Sequence, residues 1–170
     1  MEELWFAART IANVELNMRK YLQNRHIECF VPTASCSPKN KKEETREESL
    51  LIKNLIFFKT DFITANALFS LHNRKIFCIR NKNGLITVPE REMEEFMAFI
   101  NFYGPKIVSS NDIYLIGDRV KIKSGPFAGM NGIVTQIDKK NYFTLVLGGL
   151  ASLTVRFPKN NLVKVATDVP

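Results

Sequence analysis

The 170-residue chain is 45% hydrophobic and 24% charged, a composition that excludes both a disordered polyelectrolyte and a lipid-embedded protein. Its net charge of +7 is uneven: residues 1–112 carry 16 Lys and Arg against 14 Asp and Glu, whereas residues 113–170 carry 8 against 3. The basic C-terminal stretch fits contact with nucleic acid or another acidic partner, and equally the solubility charge of an ordinary surface.

No apolar run approaches the roughly 18 residues needed to span a bilayer. At the N-terminus, Met1-Glu2-Glu3-Leu4-Trp5 puts acids where a signal peptide has bases, so a cytoplasmic location without membrane contact is expected. Cys29, Cys36 and Cys78 form no Cys-x-x-Cys pair, and His26, near Glu28 and Cys29, has no second ligand pair or nucleophile–base spacing beside it. The expectation is a chain with no metal, no cofactor and no catalytic site.

In chain order, Trp5-Phe6-Ala7-Ala8-Arg9 reads as a buried strand. Asn13 is placed to cap a helix whose apolar face is Val14, Met18, Tyr21 and Leu22. A second strand runs from Glu28 to Thr33. Lys39 to Glu48 mixes four bases with four acids and has no apolar side chain, so it reads as a mobile loop or hairpin tip. Apolar character returns in a strand from Leu50 to Lys59, followed by a short helix over Thr64 to Leu71 and a strand over Ile76 to Arg80. Pro89 suits a first helical turn, with Glu90 and Glu92 near the positive end of the dipole and Met93, Phe96, Met97 and Ile100 as the buried face. The order is β-α-β-β-α-β-α, an α+β arrangement of a sheet covered by helices.

Tyr103-Gly104-Pro105 breaks that pattern, and residues 106–112 read as a linker between domains at 1–105 and 113–170. Beyond it the period changes to two. Arg119 to Lys123 alternates polar and apolar, and Ile133 to Ile137, Tyr142 to Leu147, Leu153 to Phe157 and Leu162 to Val165 complete five short strands. Five such strands in about 50 residues bury a core by curling into a small barrel.

Between the first two of those strands lies Gly125-Pro126-Phe127-Ala128-Gly129-Met130-Asn131-Gly132-Ile133-Val134. Pro126 fixes φ for a tight turn, Gly125 and Gly129 open conformations closed to other residues, and Gly132 lets a strand bend or approach its neighbour. With the preceding Asp118-Arg119-Val120-Lys121-Ile122, the segment resembles the KOW motif. Trp5-Phe6 before a helix, then Phe30-Val31-Pro32 before a charged loop, resembles the N-terminal domain of NusG-type factors. Together these resemblances cover nearly the whole chain and imply a NusG-like domain followed by a five-stranded SH3-like KOW β-barrel. They imply a non-catalytic, monomeric factor that binds RNA polymerase and reduces pausing or termination.

In that family the N-terminal domain docks on the polymerase clamp helices through an apolar patch. The resemblance places Trp5, Phe6, Leu55 and Phe57 there, although alternate strand residues face opposite sides and ordinary core accounts for part of the cluster. Thr64 and Asn66 lie where specialised relatives carry a polar contact across the polymerase cleft; a simple helix cap is the favoured account of them. Arg19, Lys20, Arg74 and Lys75 supply charge for non-template DNA or nascent RNA, or form a solvated face. Ile52-Lys53-Asn54-Leu55 replaces the family's Phe-Pro-Gly-Tyr, and Leu147-Gly148-Gly149-Leu150 replaces an Ile-Phe-Gly-Arg-like turn that binds Rho and a ribosomal protein. Both departures point to a specialised paralogue of the RfaH or capsular-operon antiterminator kind that does not engage Rho. The alternative is a KOW-type RNA- or ribosome-binding protein.

Overall fold

The computed structural model describes residues 2–36, 47–70, 75–109, 117–137 and 140–165. The chain separates into two units, Met1–Met97 and Ala98–Pro170.

In the first unit the elements are β1 (Leu4–Thr10), α1 (Glu15–Gln23), β2 (Glu28–Phe30), β3 (Thr33–Cys36), β4 (Glu47–Leu50), β5 (Leu55–Thr60), α2 (Phe62–Ser70), β6 (Ile76–Cys78), β7 (Arg80–Asn81), β8 (Gly84–Leu85), β9 (Thr87–Val88) and the start of α3 (Glu90–Tyr103). β1 is the central strand. It pairs antiparallel with β5 from Leu4↔Thr60 to Arg9↔Leu55, and on its other side with β6 and then β9. β2 lies on the outer side of β5.

Helices cover the sheet because both of its faces are apolar. On one face Phe6, Ala8, Ile56, Phe58 and Ile76 meet Met18 and Leu22 of α1 and Ala65 of α2. The rings of Phe6 and Phe58 stack there at 5.7 Å. On the other face α3 sets Phe96 against Phe57 and Phe30, with ring centroids 5.8 and 6.4 Å apart. Lys59 and Glu90 close that packing with an ion pair of 2.9 Å.

Local details differ from the sequence reading. α1 is capped by Val14 without a side-chain bond, while Asn13 takes a left-handed conformation at φ 62°; Asn tolerates that region and here makes the turn into the helix. Glu15 is buried at the helix start and its carboxylate accepts the Asn54 backbone N–H at 2.7 Å. The expected strand over Glu28 to Thr33 breaks at Val31-Pro32, since proline has no N–H for the ladder. Its second half becomes β3, which pairs with β4 from Thr33↔Leu50 to Cys36↔Glu47. Glu47 and Glu48, expected in a mobile loop, thus belong to a strand; the remaining loop positions, 39–46, lie outside the described residues. In α3 it is Phe99, with Met93, Phe96 and Ile100, that is fully buried, and Met97 is half-buried.

The second unit holds the last turns of α3, then β10 (Ile107–Ser109), β11 (Asp118–Ile122), β12 (Asn131–Ile137), β13 (Lys140–Leu147), β14 (Ala151–Arg156) and β15 (Leu162–Lys164). All five expected strands are present as β11 to β15. β10 is a sixth, drawn from the stretch read as linker, and pairs with β14 as Ile107↔Val155. The order is β10-β14-β13-β12-β11-β15, with antiparallel neighbours throughout. Among the described residues this unit is therefore a six-stranded antiparallel sheet, one strand more than the five expected. Val120, Ile122, Phe143, Leu153, Val155 and Phe157 form its core. Thr144 and Thr154 are buried as well, and their hydroxyls bond each other at 2.8 Å. That pairing satisfies two groups whose burial would otherwise be costly.

Candidate functional site

The apolar cluster expected to face polymerase is interior. Trp5 is 1% exposed, and Phe6, Leu55 and Phe57 are 0% exposed. Phe6 faces α1 and α2, whereas Phe57 lies under Phe96 of α3. These four side chains are core, and the assignment of a contact patch to them is corrected: β1 and β5 are apolar on both faces, and helices cover both.

The first unit instead leaves other large apolar side chains in solvent. Ile11 is 44% exposed and Phe77 is 54% exposed. They are neighbours by register. Phe77 stands opposite Arg9, Thr10 opposite Ile76, and the Ile11 N–H continues the ladder to the Lys75 carbonyl at 3.1 Å. Ile11 and Phe77 therefore sit diagonally across one sheet face, within reach of each other, with exposed Arg9 and Lys75 beside them. Phe62 and Ile63, at the start of α2, are also exposed.

Thr64 and Asn66 are held within α2. Asp61 is the helix cap: its carboxylate accepts the backbone N–H groups of Ile63 and Thr64 at 2.9 and 3.0 Å and the Thr64 hydroxyl at 2.6 Å. Those bonds, the Thr64 hydroxyl's first, hold the Asp61 carboxyl below its ordinary pKa. Asn66 donates to the Phe62 carbonyl at 3.0 Å. The helix therefore begins at Phe62, two residues before the expected Thr64, and its cap is Asp61, not Thr64 or Asn66; Asp followed by an apolar helix was the signal for it.

The basic residues do not form one cluster. Arg19 pairs with Glu48 at 2.8 Å and is half-buried, Lys20 is exposed on α1, and Lys75 is exposed before β6. Arg74 lies outside the described residues. Arg25 lies over the Tyr21 ring, 3.9 Å from its centroid. Burial pushes the Cys78 thiol up to about 12 and raises Cys29 too, so both are protonated at neutral pH.

In the second unit the segment from Gly125 to Gly132 has the mechanics its residues suggested. Gly125 and Gly129 have φ of 96° and 89°, values open to glycine. The loop closes where the Gly129 N–H donates to the Ile122 carbonyl at 2.8 Å and the Ile122 N–H to the Met130 carbonyl at 3.0 Å. Phe127 packs on Phe99, Phe102 and Tyr103 at 5.4–5.6 Å. Asn161, which the sequence reading passed over, locks the loop. Its Oδ1 accepts from the Ser124 N–H and hydroxyl at 3.1 and 2.6 Å, and its Nδ2 donates to the Ser124 carbonyl at 3.0 Å.

The chain is thus a two-part protein, a helix-flanked antiparallel sheet joined to a second antiparallel sheet with this glycine-rich loop. Residues 3–97 match the family profile described as "Transcription termination factor nusG", and residues 116–148 match the KOW motif. The chain belongs to the NusG family, whose members act with RNA polymerase in transcription elongation. A structure of Thermotoga maritima NusG is similar in fold, with a TM-score of 0.57 and 18% identity over 98% of this chain and 99% of that one. A chain of the MjSpt4:Spt5 complex, conformation B, matches at a TM-score of 0.32 and 19% identity, over 96% and 98% of the two chains. No curated protein sequence matches. No described helix is long and apolar enough to cross a membrane, and no described group of His, Cys, Asp and Glu could hold a metal ion.

Proposed function

We propose that this protein is a specialised, non-catalytic NusG paralogue of the RfaH or capsular-operon kind, which docks on the RNA polymerase clamp and suppresses pausing or termination at particular operons. It acts as a cytoplasmic monomer, in contact with non-template DNA or nascent RNA and without Rho. One observation carries the docking surface: Ile11 and Phe77 are uncovered side by side on a sheet whose central apolar residues are buried. Adjacent exposed apolar side chains rimmed by cations are the features of a protein-binding surface.

Titration of core RNA polymerase with the full chain tests the reading. Ile11→Glu and Phe77→Glu should each weaken binding about tenfold, the loss of roughly 1.4 kcal/mol of apolar contact, while circular dichroism stays unchanged. Full affinity in the folded double variant would remove this surface from the contact. Failure of the parent chain to bind polymerase would overturn the function itself.

A further inference from the structure

The sequence contains Asn-Gly twice, as Asn83-Gly84 and as Asn131-Gly132. This pair is open to spontaneous loss of the asparagine amide, because glycine has no side chain to shield its backbone nitrogen from the asparagine Cγ. The attack has a second requirement: the backbone must swing until that nitrogen meets the side-chain carbon. The structure grants this freedom at one pair and withholds it at the other. Charge does not separate them, since exposed Arg80 and Lys82 precede the first and Lys121 stands opposite Asn131.

Asn83 lies at the tip of the hairpin of β7 and β8, which among the described residues is a ribbon of two strands alone. The pairs Arg80↔Leu85 and Asn81↔Gly84 hold it, with the Ile86 N–H donating to the Ile79 carbonyl at 2.9 Å. A ribbon that small is marginal in water and opens readily. Asn83 is exposed, its N–H donating to Asn81 Oδ1 at 2.8 Å, and a Cβ on Gly84 would meet nothing within 4 Å. Asn131 is exposed as well, but its glycine is fixed. Gly132 pairs with Val120, β12 pairs with β13 on its other side, and a Cβ on Gly132 would strike the Phe143 ring. We infer that Asn83 is a site of spontaneous deamidation and isoaspartate formation, and that Asn131 is not. The Gly84 nitrogen gives its proton to solvent and bonds to Asn83 Cγ; the Cγ–Nδ2 bond breaks, and ammonia leaves on taking a proton back. Water then opens the cyclic imide at Cγ to give aspartate, or at the Asn83 main-chain carbonyl to give isoaspartate. Each event lowers the net charge by one unit. Isoaspartate also adds a methylene to the main chain, at a turn whose short register cannot absorb it. The site is independent of polymerase docking.

The test is ageing of the full chain at mildly alkaline pH, then peptic digestion in acid, where the reaction is slow, and peptide mass spectrometry. In the folded chain the acid product at Asn83 should exceed that at Asn131 by about tenfold or more, because opening free energies within one chain run from near zero in frayed segments to the global value in paired strands. In urea the two pairs should react at similar rates. Methyl transfer from S-adenosylmethionine by an isoaspartate methyltransferase should rise in parallel with the product at Asn83. It should be lost in Asn83→Gln, whose longer side chain cannot close the same ring, and unchanged in Asn131→Gln. Product at Asn83 with these controls supports the site. Equal product at the two pairs in the folded chain would overturn it, as would none at Asn83 over a time in which the urea-unfolded chain reacts.

Discussion

At Gly132 a single hydrogen in place of a methyl group decides how closely two strands approach. A Cβ there would overlap the ring of Phe143 and stand 2.6 Å from the Thr144 carbonyl oxygen. Phe143 is a fully buried core residue, so the ring has little room to yield. Gly132→Ala should therefore destabilise the second unit by about 1–3 kcal/mol, the usual cost of overpacking. Urea unfolding with an unchanged slope would show it; a neutral result would mean that β12 and β13 separate without cost. The use of this glycine was legible in the sequence, because a glycine before a β-branched pair has few other purposes. The fate of Trp5, Phe6, Leu55 and Phe57 was not. When one face of a strand is wet, polar residues mark it, but β1 and β5 carry apolar side chains on both faces and offer no such mark. Phe57→Glu should accordingly unfold the chain, whereas Phe77→Glu should leave circular dichroism intact.

Among the elements, α2 and the β13–β14 turn are set by residues at their ends. The Asp61 carboxyl is held below its ordinary pKa by bonds that exist only in the folded helix. A depressed folded pKa contributes stability that is present above the ordinary carboxylate range and is lost as pH falls through the folded value. Acid titration of the melting temperature should therefore fall more steeply for the parent than for Asp61→Asn, which keeps a capping oxygen without the charge. Coincident curves would show that the cap contributes nothing to the acid transition. In the β13–β14 turn, Gly148 and Gly149 are exposed with φ of 50° and 72°, and the Leu150 N–H closes on the Leu147 carbonyl at 2.7 Å. The turn offers no ring where Rho-binding relatives are expected to present one, and a buried ring is commonly worth about 1.5–3 kcal/mol, or one to two decades of affinity. No binding of Rho to the full chain is expected at micromolar concentration, and micromolar affinity would sink that reading. Gly148→Phe is the gain-of-contact control, weakened by the left-handed φ it must adopt. The strands of this unit were legible from their period of two. β10 was not, because the three residues Ile107-Val108-Ser109 run straight into Ser110-Asn111 and carry no pattern apart from the partner strand that receives them.

For the whole molecule the question is where one unit ends and the next begins. Composition places the second part at residue 113, after a polar stretch, whereas the contacts divide the chain between Met97 and Ala98. The difference has a physical content. Residues 98–112 supply β10, whose Ile107 is buried, and the Phe99 ring, which lies 5.5 and 6.0 Å from Phe127 and Phe143. Burying two such side chains contributes about 3–6 kcal/mol at roughly 1.5–3 each. A domain of this size has only about 5–15 kcal/mol in total. A fragment of residues 98–170 should therefore unfold cooperatively in urea, and one of residues 113–170 should be less stable by several kcal/mol or unfolded outright. Without Ile107 on β14, Val155 and Thr154 lose their outer partner strand, and Phe143 loses one of its ring neighbours. Circular dichroism of the two fragments under one set of conditions measures the difference, since Trp5 is the only tryptophan and belongs to neither. Equal stability would return the boundary to residue 113 and reduce β10 to a strand that pairs without stabilising.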